Sequence, residues 1–275
     1  MNFSSYAPLF MVLVIICSIT ISIERNKEMN NQTEPKEFGS FSTTDKLGAP
    51  IILEWKKTTV VSPDFAAAMR EMWNFARDAY TPVEMEFLRT FPEVVGAEPY
   101  FKPFEPLLVN GVGNVDWDAA TKTMETILQG HFVFDPTQFP EHVIAMYSQD
   151  SCFMVIAKDR ATGTPLGFIT FLMRASYTTG DIKVMSLAVA TTHQNRGLGK
   201  LLMSSILRIV PDIKRIFLCT RVTNTSSLQA YRSWGFITDE KPILDHAFNL
   251  AHWPFMEYKT EQSDILQKTA ATLTD

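Results

Sequence analysis

The chain has little cysteine and no excess of basic residues, and each shortage narrows what it can do. Of 275 residues only three are cysteine, Cys17, Cys152 and Cys219. None is paired at metal-ligand or CxxC spacing. Cys152 and Cys219 lie within apolar runs, so buried, reduced thiols are expected. Lys and Arg number 25 against 30 Asp and Glu, a formal net charge of −5. That argues against non-specific nucleic-acid binding, which wants a basic face. No His/Cys/carboxylate cluster suggests a metal, no Ser-His-Asp pattern stands out, and no internal repeat is visible. What remains is an apolar share of 46% with 20% charged residues, enough to build a real core in one large domain or two small ones.

The N-terminus stands apart. Leu9–Ile23 is apolar except at Ser18, Thr20 and Ser22. It is shorter than the roughly 20 residues a spanning helix needs. Three readings stand: a signal-anchor that tethers the chain to a membrane through residues 9–23, a cleaved signal peptide lacking a basic n-region, or an extended start with Met29 as the internal alternative. The expected organisation is a hydrophobic segment at 1–28, a polar linker at 29–48, a folded domain at 49–262 and a C-terminal tail at 263–275.

The folded part reads as mixed α and β. Ile51–Val61 patterns as a strand. Ser62-Pro63-Asp64 starts a helix, with Ser62 as N-cap and Pro63 in the first turn. Phe65, Met69, Met72, Trp73, Ala76 and Tyr80 recur at three and four, one apolar face read as core. Glu84–Thr90 and Asp116–Leu128 are further helical stretches, separated by the breaks at Pro92, Pro99, Pro103 and Pro106. Strands at Ser151–Lys158, Leu166–Arg174 and Ile182–Val189 are joined by turns at Asp159–Pro165 and Thr178–Asp181, which implies an antiparallel meander. A helix to about Val210, a strand at Arg215–Arg221, a helix at Ser226–Trp234 stopped by Gly235, and a last strand at Trp253–Lys259 complete the reading.

The most informative stretch is Gln194-Asn195-Arg196-Gly197-Leu198-Gly199-Lys200, between a strand and a helix. Glycines there let the backbone approach an anion closely. The unpaired N–H groups of the first helical turn point at it, and the helix dipole favours its charge. A second block, Asn224 to Phe236, follows. A dinucleotide-binding domain is disfavoured, because the third glycine of that fingerprint is missing and the strands before the turn form a meander.

Taken together, meander, glycine turn, helix, strand, helix and Gly-Phe resemble the GNAT superfamily of N-acetyltransferases. The family's Gln/Arg-x-x-Gly-x-Gly/Ala pattern is matched by Gln194, Gly197 and Gly199, after Ser186-Leu187-Ala188-Val189. Its second block is matched by Asn224, Ala230-Tyr231 and Gly235-Phe236. The specific resemblance covers residues 151–236 and names no subfamily. Residues 51–80 would be the family's first strand and helix, with 82–147 a long insertion.

The resemblance implies an α/β fold: a mixed, mostly antiparallel central sheet flanked by helices, with a splayed strand at the CoA site. It implies transfer of an acetyl group from acetyl-CoA to an unidentified primary amine, without a metal. By resemblance, Gln194, Asn195, Arg196, Gly197, Leu198, Gly199 and Lys200 hold the pyrophosphate, and Leu187, Ala188 and Val189 bond the pantetheine like an added strand. Asn224 also contacts it, with helix N-capping as its competing role. Leu187 or Ala188 supplies an amide that polarises the thioester carbonyl. Tyr231 is the candidate general acid toward the thiolate, with a packed core tyrosine as the alternative. No general base is legible: Asp181 sits at the wrong end of its strand, Glu141 and His142 read as solvated groups, and His193 reads as a loop side chain. The other function class is a non-catalytic CoA-binding regulatory module on the same fold. Because acetyl-CoA is cytoplasmic, the catalytic domain is expected there, with Arg25 and Lys27 on that side of any anchor.

Overall fold

The computed structural model describes residues 35–59, 62–97, 99–107, 115–132, 151–173, 180–239 and 250–275. The apolar segment at 9–23, Glu141 and His142 lie outside these residues, as do most of the turn before Asp181 and the start of the expected linker. No helix among the described residues is long and apolar enough to cross a membrane.

Eight strands build one sheet: β1 (Phe38–Thr44), β2 (Pro50–Thr58), β3 (Ser151–Asp159), β4 (Pro165–Met173), β5 (Asp181–Val189), β6 (Arg215–Cys219), β7 (Ile237–Thr238) and β8 (Phe255–Lys259). Their order is β1-β2-β3-β4-β5-β6-β8-β7, and every neighbouring pair is antiparallel except β5 with β6. The α-helices longer than one turn among the described residues are α1 (Pro63–Thr90), α2 (Trp117–Phe132), α3 (Leu198–Ile209), α4 (Thr225–Ser233) and α5 (Ile265–Ala270). This is the mixed, mostly antiparallel sheet flanked by helices that the family resemblance implied.

Alternation along the central strands explains the layers. In β3, Cys152 and Met154 join Phe65, Met69 and Met72 of α1 on one face. Phe153, Val155 and Ala157 meet Leu202 and Ile206 of α3 on the other. Both faces are covered, so the strand reads as an unbroken apolar run.

The start of α1 is as expected: Ser62 Oγ accepts from the Phe65 N–H at 3.0 Å, with Pro63 in the first turn. Glu84–Thr90 is not a separate helix, because α1 continues through Pro82. Proline removes one helical hydrogen bond. Burial on both sides outweighs that loss: Trp73 and Ala76 pack on the sheet, while Met85, Phe87 and Leu88 anchor a second core with Phe101, Phe104, Ala120 and Met124. That second core gives the described residues between Pro82 and Leu128 their structure. α2 starts where Asp116 Oδ1 accepts from Asp118 and Ala119 N–H groups at 3.1 and 3.0 Å.

Two expectations are corrected. Residues 38–44, within the stretch read as a linker, form β1 and pair with β2 along their whole length, from Phe38 opposite Lys56 to Thr44 opposite Pro50. Phe41 turns into the core beneath them. Residues 263–275, read as a tail, are packed: Leu266 and Leu273 are buried, and Thr274 exchanges backbone hydrogen bonds with Ser42 at 2.7 and 3.0 Å. The chain end thereby covers part of the outer edge of β1, which would otherwise offer unpaired backbone groups.

The site is made where β5 and β6 separate. They pair only over Asp181–Lys183 and Arg215–Phe217. At the closed end Arg215 bridges Asp181 at 2.5 Å and Glu257 at 3.4 Å, all three buried. Beyond it, β5 carries a bulge: Thr170 faces Ser186, but Phe171 faces Val184, leaving Met185 extra. A bulge bends its strand and strengthens the local twist, and the outer edge of β5 is left open from Val184 onward.

Candidate active site

Main-chain groups of a strand point alternately to its two sides. The Ala190 N–H donates to Leu166 on β4 at 2.9 Å, and a side chain at Gly167 would meet the Ala188 carbonyl oxygen at 2.7 Å. Ala188 therefore directs its main chain at β4. Leu187 and Val189 direct theirs into the opening beside β5. Of the two amides expected to polarise a thioester, only that of Leu187 faces the cleft.

That amide has a partner in this state. The Leu187 N–H donates to Tyr80 Oη at 3.1 Å, and the Tyr80 hydroxyl donates to the Leu187 carbonyl at 3.2 Å. Tyr80 ends the apolar stripe of α1, a face that the periodicity predicts as core. Its signal was present but ambiguous: a polar tip on an otherwise apolar face wants a buried partner. The Val189 carbonyl accepts from Gln194 Nε2 at 3.4 Å, which ties the glycine loop to the end of β5.

The loop then turns through two residues in the left-handed region, Asn195 at φ 63° and Gly197 at φ 83°. Gly197 is the N-cap of α3 and offers no side chain to cap it, so the first-turn amides face outward without a side-chain acceptor. Gly199 lies against Trp234, whose ring a Cβ would meet at 3.2 Å. His193 hydrogen-bonds Thr192 Oγ1 at 2.9 Å and behaves as a loop side chain.

Every residue expected to hold the cofactor, with one exception, lines a single cavity of about 610 Å³ between β5, α1, α3 and α4. The exception is Arg196, whose guanidinium turns away to Asp45. Asn224 caps α4, accepting from the Ser227 N–H at 3.4 Å while Nδ2 donates to Thr220 Oγ1 at 3.1 Å. Its capping role is thus realised, and its side chain also reaches the cavity wall. Tyr231 is buried, edge-on to Trp234 with ring centroids 5.4 Å apart. Among the described residues no hydrogen bond engages its hydroxyl. Burial, and then the neighbouring Tyr80, push its pKa up, so the phenol holds its proton. Tyr80 is raised too, because burial outweighs its hydrogen bonds.

A buried pair braces this wall. Arg221 grips Glu84 of α1, its Nε 2.9 and 3.0 Å from the two carboxylate oxygens, between the rings of Phe87 and Trp253. It joins α1 to the segment that carries Asn224. Asp181, at the closed end of the splay, serves Arg215. Among the described residues no cluster of His, Cys, Asp and Glu could hold a metal ion.

Residues 120–236 match the acetyltransferase (GNAT) family model. This segment, less than half of the chain, is similar to a GNAT acetyltransferase domain. The match ends at Phe236, where the sequence resemblance ended, and leaves out β1, β2, β7, β8, α1 and α5, which share its sheet or core. Similar solved structures include an IAA acetyltransferase from Bacillus cereus, 17% identical over 43% of this chain and 83% of that one, with a TM-score of 0.32. A GNAT family acetyltransferase from Elizabethkingia anophelis with acetyl-CoA bound is 16% identical over 43% and 82%, TM-score 0.32. A PaiA N-acetyltransferase from Thermoplasma acidophilum in complex with coenzyme A is 13% identical over 75% and 98%, TM-score 0.39. No curated protein matches the sequence.

Proposed function

We propose that the chain moves an acetyl group from acetyl-CoA to a primary amine by direct attack. The observation that carries this reading is the convergence of the open β5 edge, the outward-facing amides of the Gln194–Lys200 loop and Tyr231 on one cavity. The pyrophosphate binds at the start of α3, where the amides and the dipole together favour an anion. The pantetheine arm lies along Leu187 and Val189 and exchanges hydrogen bonds with their cleft-facing groups. To do so at Leu187 it replaces Tyr80.

The neutral amine then attacks the thioester carbon. The carbonyl oxygen takes up charge and is held by the Leu187 N–H, which acts as an oxyanion donor. The nitrogen loses a proton to solvent, the C–S bond breaks, and the CoA thiolate gains a proton, giving the amide and free CoA. Tyr231 is the donor to that sulfur. Its raised pKa keeps it protonated throughout the physiological range, as a general acid requires.

Calorimetric titration of the full chain with acetyl-CoA and CoA tests the cofactor site, with Gly197→Glu as the disrupting variant. A side chain at this left-handed position is strained and places a carboxylate against the phosphate. Saturable binding by the wild type, lost in the variant, is expected, followed by turnover with a panel of primary amines. Binding without turnover of any amine would favour a regulatory module over an enzyme. No binding by a folded wild type would sink the CoA reading altogether.

A further inference from the structure

We propose that Lys46, on the turn between β1 and β2, is a ligand of the CoA pyrophosphate, so that a hairpin outside the matched family segment completes the cofactor site. The inference rests on the CoA reading of the cleft and adds a residue to it.

The sequence puts two cations on the phosphate loop, Arg196 and Lys200. Arg196 is occupied: its Nε lies 2.6 Å from Asp45 Oδ2 and its Nη2 bonds the same oxygen. The Asp45 side chain is fully buried and that of Arg196 is 22% exposed, so the Arg196 charge is already paired with a carboxylate.

That pairing has a structural effect. Asp45 Oδ1 accepts from the Leu47 and Ala49 N–H groups, each at 2.9 Å, and shapes the hairpin turn. The Lys46 N–H donates to the Arg196 carbonyl at 3.0 Å. Backbone and side chain together fasten the turn onto the phosphate loop.

Lys46 is thereby laid across Gly197. A Cβ at Gly197 would sit 3.0 Å from Lys46 Cγ and 3.3 Å from its Cε. The lysine stem therefore covers the glycine that caps α3. The residue borders both the cleft and a neighbouring cavity of about 700 Å³, which it shares with Lys200 and Arg160. Among the described residues Lys46 forms no ion pair.

A pyrophosphate at the start of α3 would bring two negative charges to a loop whose arginine is already paired. Backbone amides compensate part of that charge. A flexible ammonium suits the remainder, because lysine meets phosphate as a point charge with rotatable donors. Arg196 and Lys46 thus exchange the roles that the sequence suggests: the loop arginine is the tether, and the hairpin lysine is the ligand.

The test is calorimetric titration of the full chain with CoA and with 3′-dephospho-CoA, for wild type, Lys46→Ala and, as a charge-matched control, Lys122→Ala. Lys122 is exposed on α2 and outside both cavities. Lys46→Ala should weaken both ligands about tenfold and flatten the loss of affinity between about 50 and about 200 mM salt. Lys122→Ala should match the wild type. Lys46 is itself exposed, so the thermal midpoint should not move. Equal binding by Lys46→Ala and wild type overturns the proposal and leaves the CoA reading standing. A loss seen with CoA but not with the dephospho form also overturns it, by moving the contact to the 3′-phosphate. A wild type that binds neither ligand removes the CoA reading and the proposal together.

Discussion

Tyr80 and Leu187 stand 107 residues apart, and one hydroxyl satisfies both cleft-facing main-chain groups of the leucine. Any extended ligand added to β5 competes with that hydroxyl. Tyr80→Phe removes the competitor, so acetyl-CoA should bind the variant several-fold more tightly by titration. The free protein should lose about 1 kcal/mol in denaturant unfolding, the net worth of a buried hydrogen bond. Unchanged affinity would mean that the pantetheine does not use Leu187. Tyr231 carries the opposite expectation. Tyr231→Phe should keep acetyl-CoA affinity and lower kcat about 100-fold, the usual loss for a general acid. Since burial lifts the phenol above its ordinary value of 10.0, Tyr231 should add no alkaline limb to the pH–rate profile below that pH. An alkaline limb near neutrality that vanishes in Tyr231→Phe would argue against this assignment.

At the scale of elements, the β1–β2 turn matters because of one carboxylate. Burial works to raise the Asp45 pKa, but hydrogen bonds from Ala49, Arg196 and Leu47 outweigh it and hold the group below its ordinary value. A carboxylate depressed on folding stabilises the protein above its unfolded pKa. That stability is lost as pH falls through the lower folded value. Asp45→Asn should therefore cost about 2 kcal/mol at neutral pH and reduce the slope of acid unfolding below about pH 4. Chemical denaturation at several pH values checks both. The β3–β5 meander, α3 and α4 were legible because their periodicity is strong and their ends carry local signals such as Gly197, Asn224 and Gly235. β1 was missed because a polar edge strand with a single buried aromatic, Phe41, has too little alternation to separate it from a linker. The continuity of α1 through Pro82 was missed because proline is a local breaker, and what overrides it is burial on both sides, which lies far away in sequence.

For the whole molecule, the folded unit exceeds the recognisable domain. The matched segment at 120–236 supplies the glycine loop and Tyr231. The sheet it needs is completed by β1, β2 and β8, and the outermost strand is partly covered by the chain end. Deleting residues 265–275 would expose the neighbours of Leu266 and Leu273 and remove the backbone pairing of Thr274 with Ser42. Two buried leucines alone contribute at least about 3 kcal/mol, so the truncated protein should show a clearly lowered denaturation midpoint. A midpoint equal to that of the full chain would show that this segment is a dispensable tail after all. The sequence by itself determined the strand–turn–helix order, the glycine loop at Gln194–Lys200 and the block from Asn224 to Phe236 that follows it. Those depend on residue type and short spacing, which are written locally. Only the tertiary structure decided which edge amide faces the cleft, that Tyr80 holds it, and that Arg196 is bound to Asp45 while Lys46 lies over Gly197. Each of these depends on a strand's phase after a bulge or on a contact between segments more than a hundred residues apart, and neither is fixed until the sheet has closed.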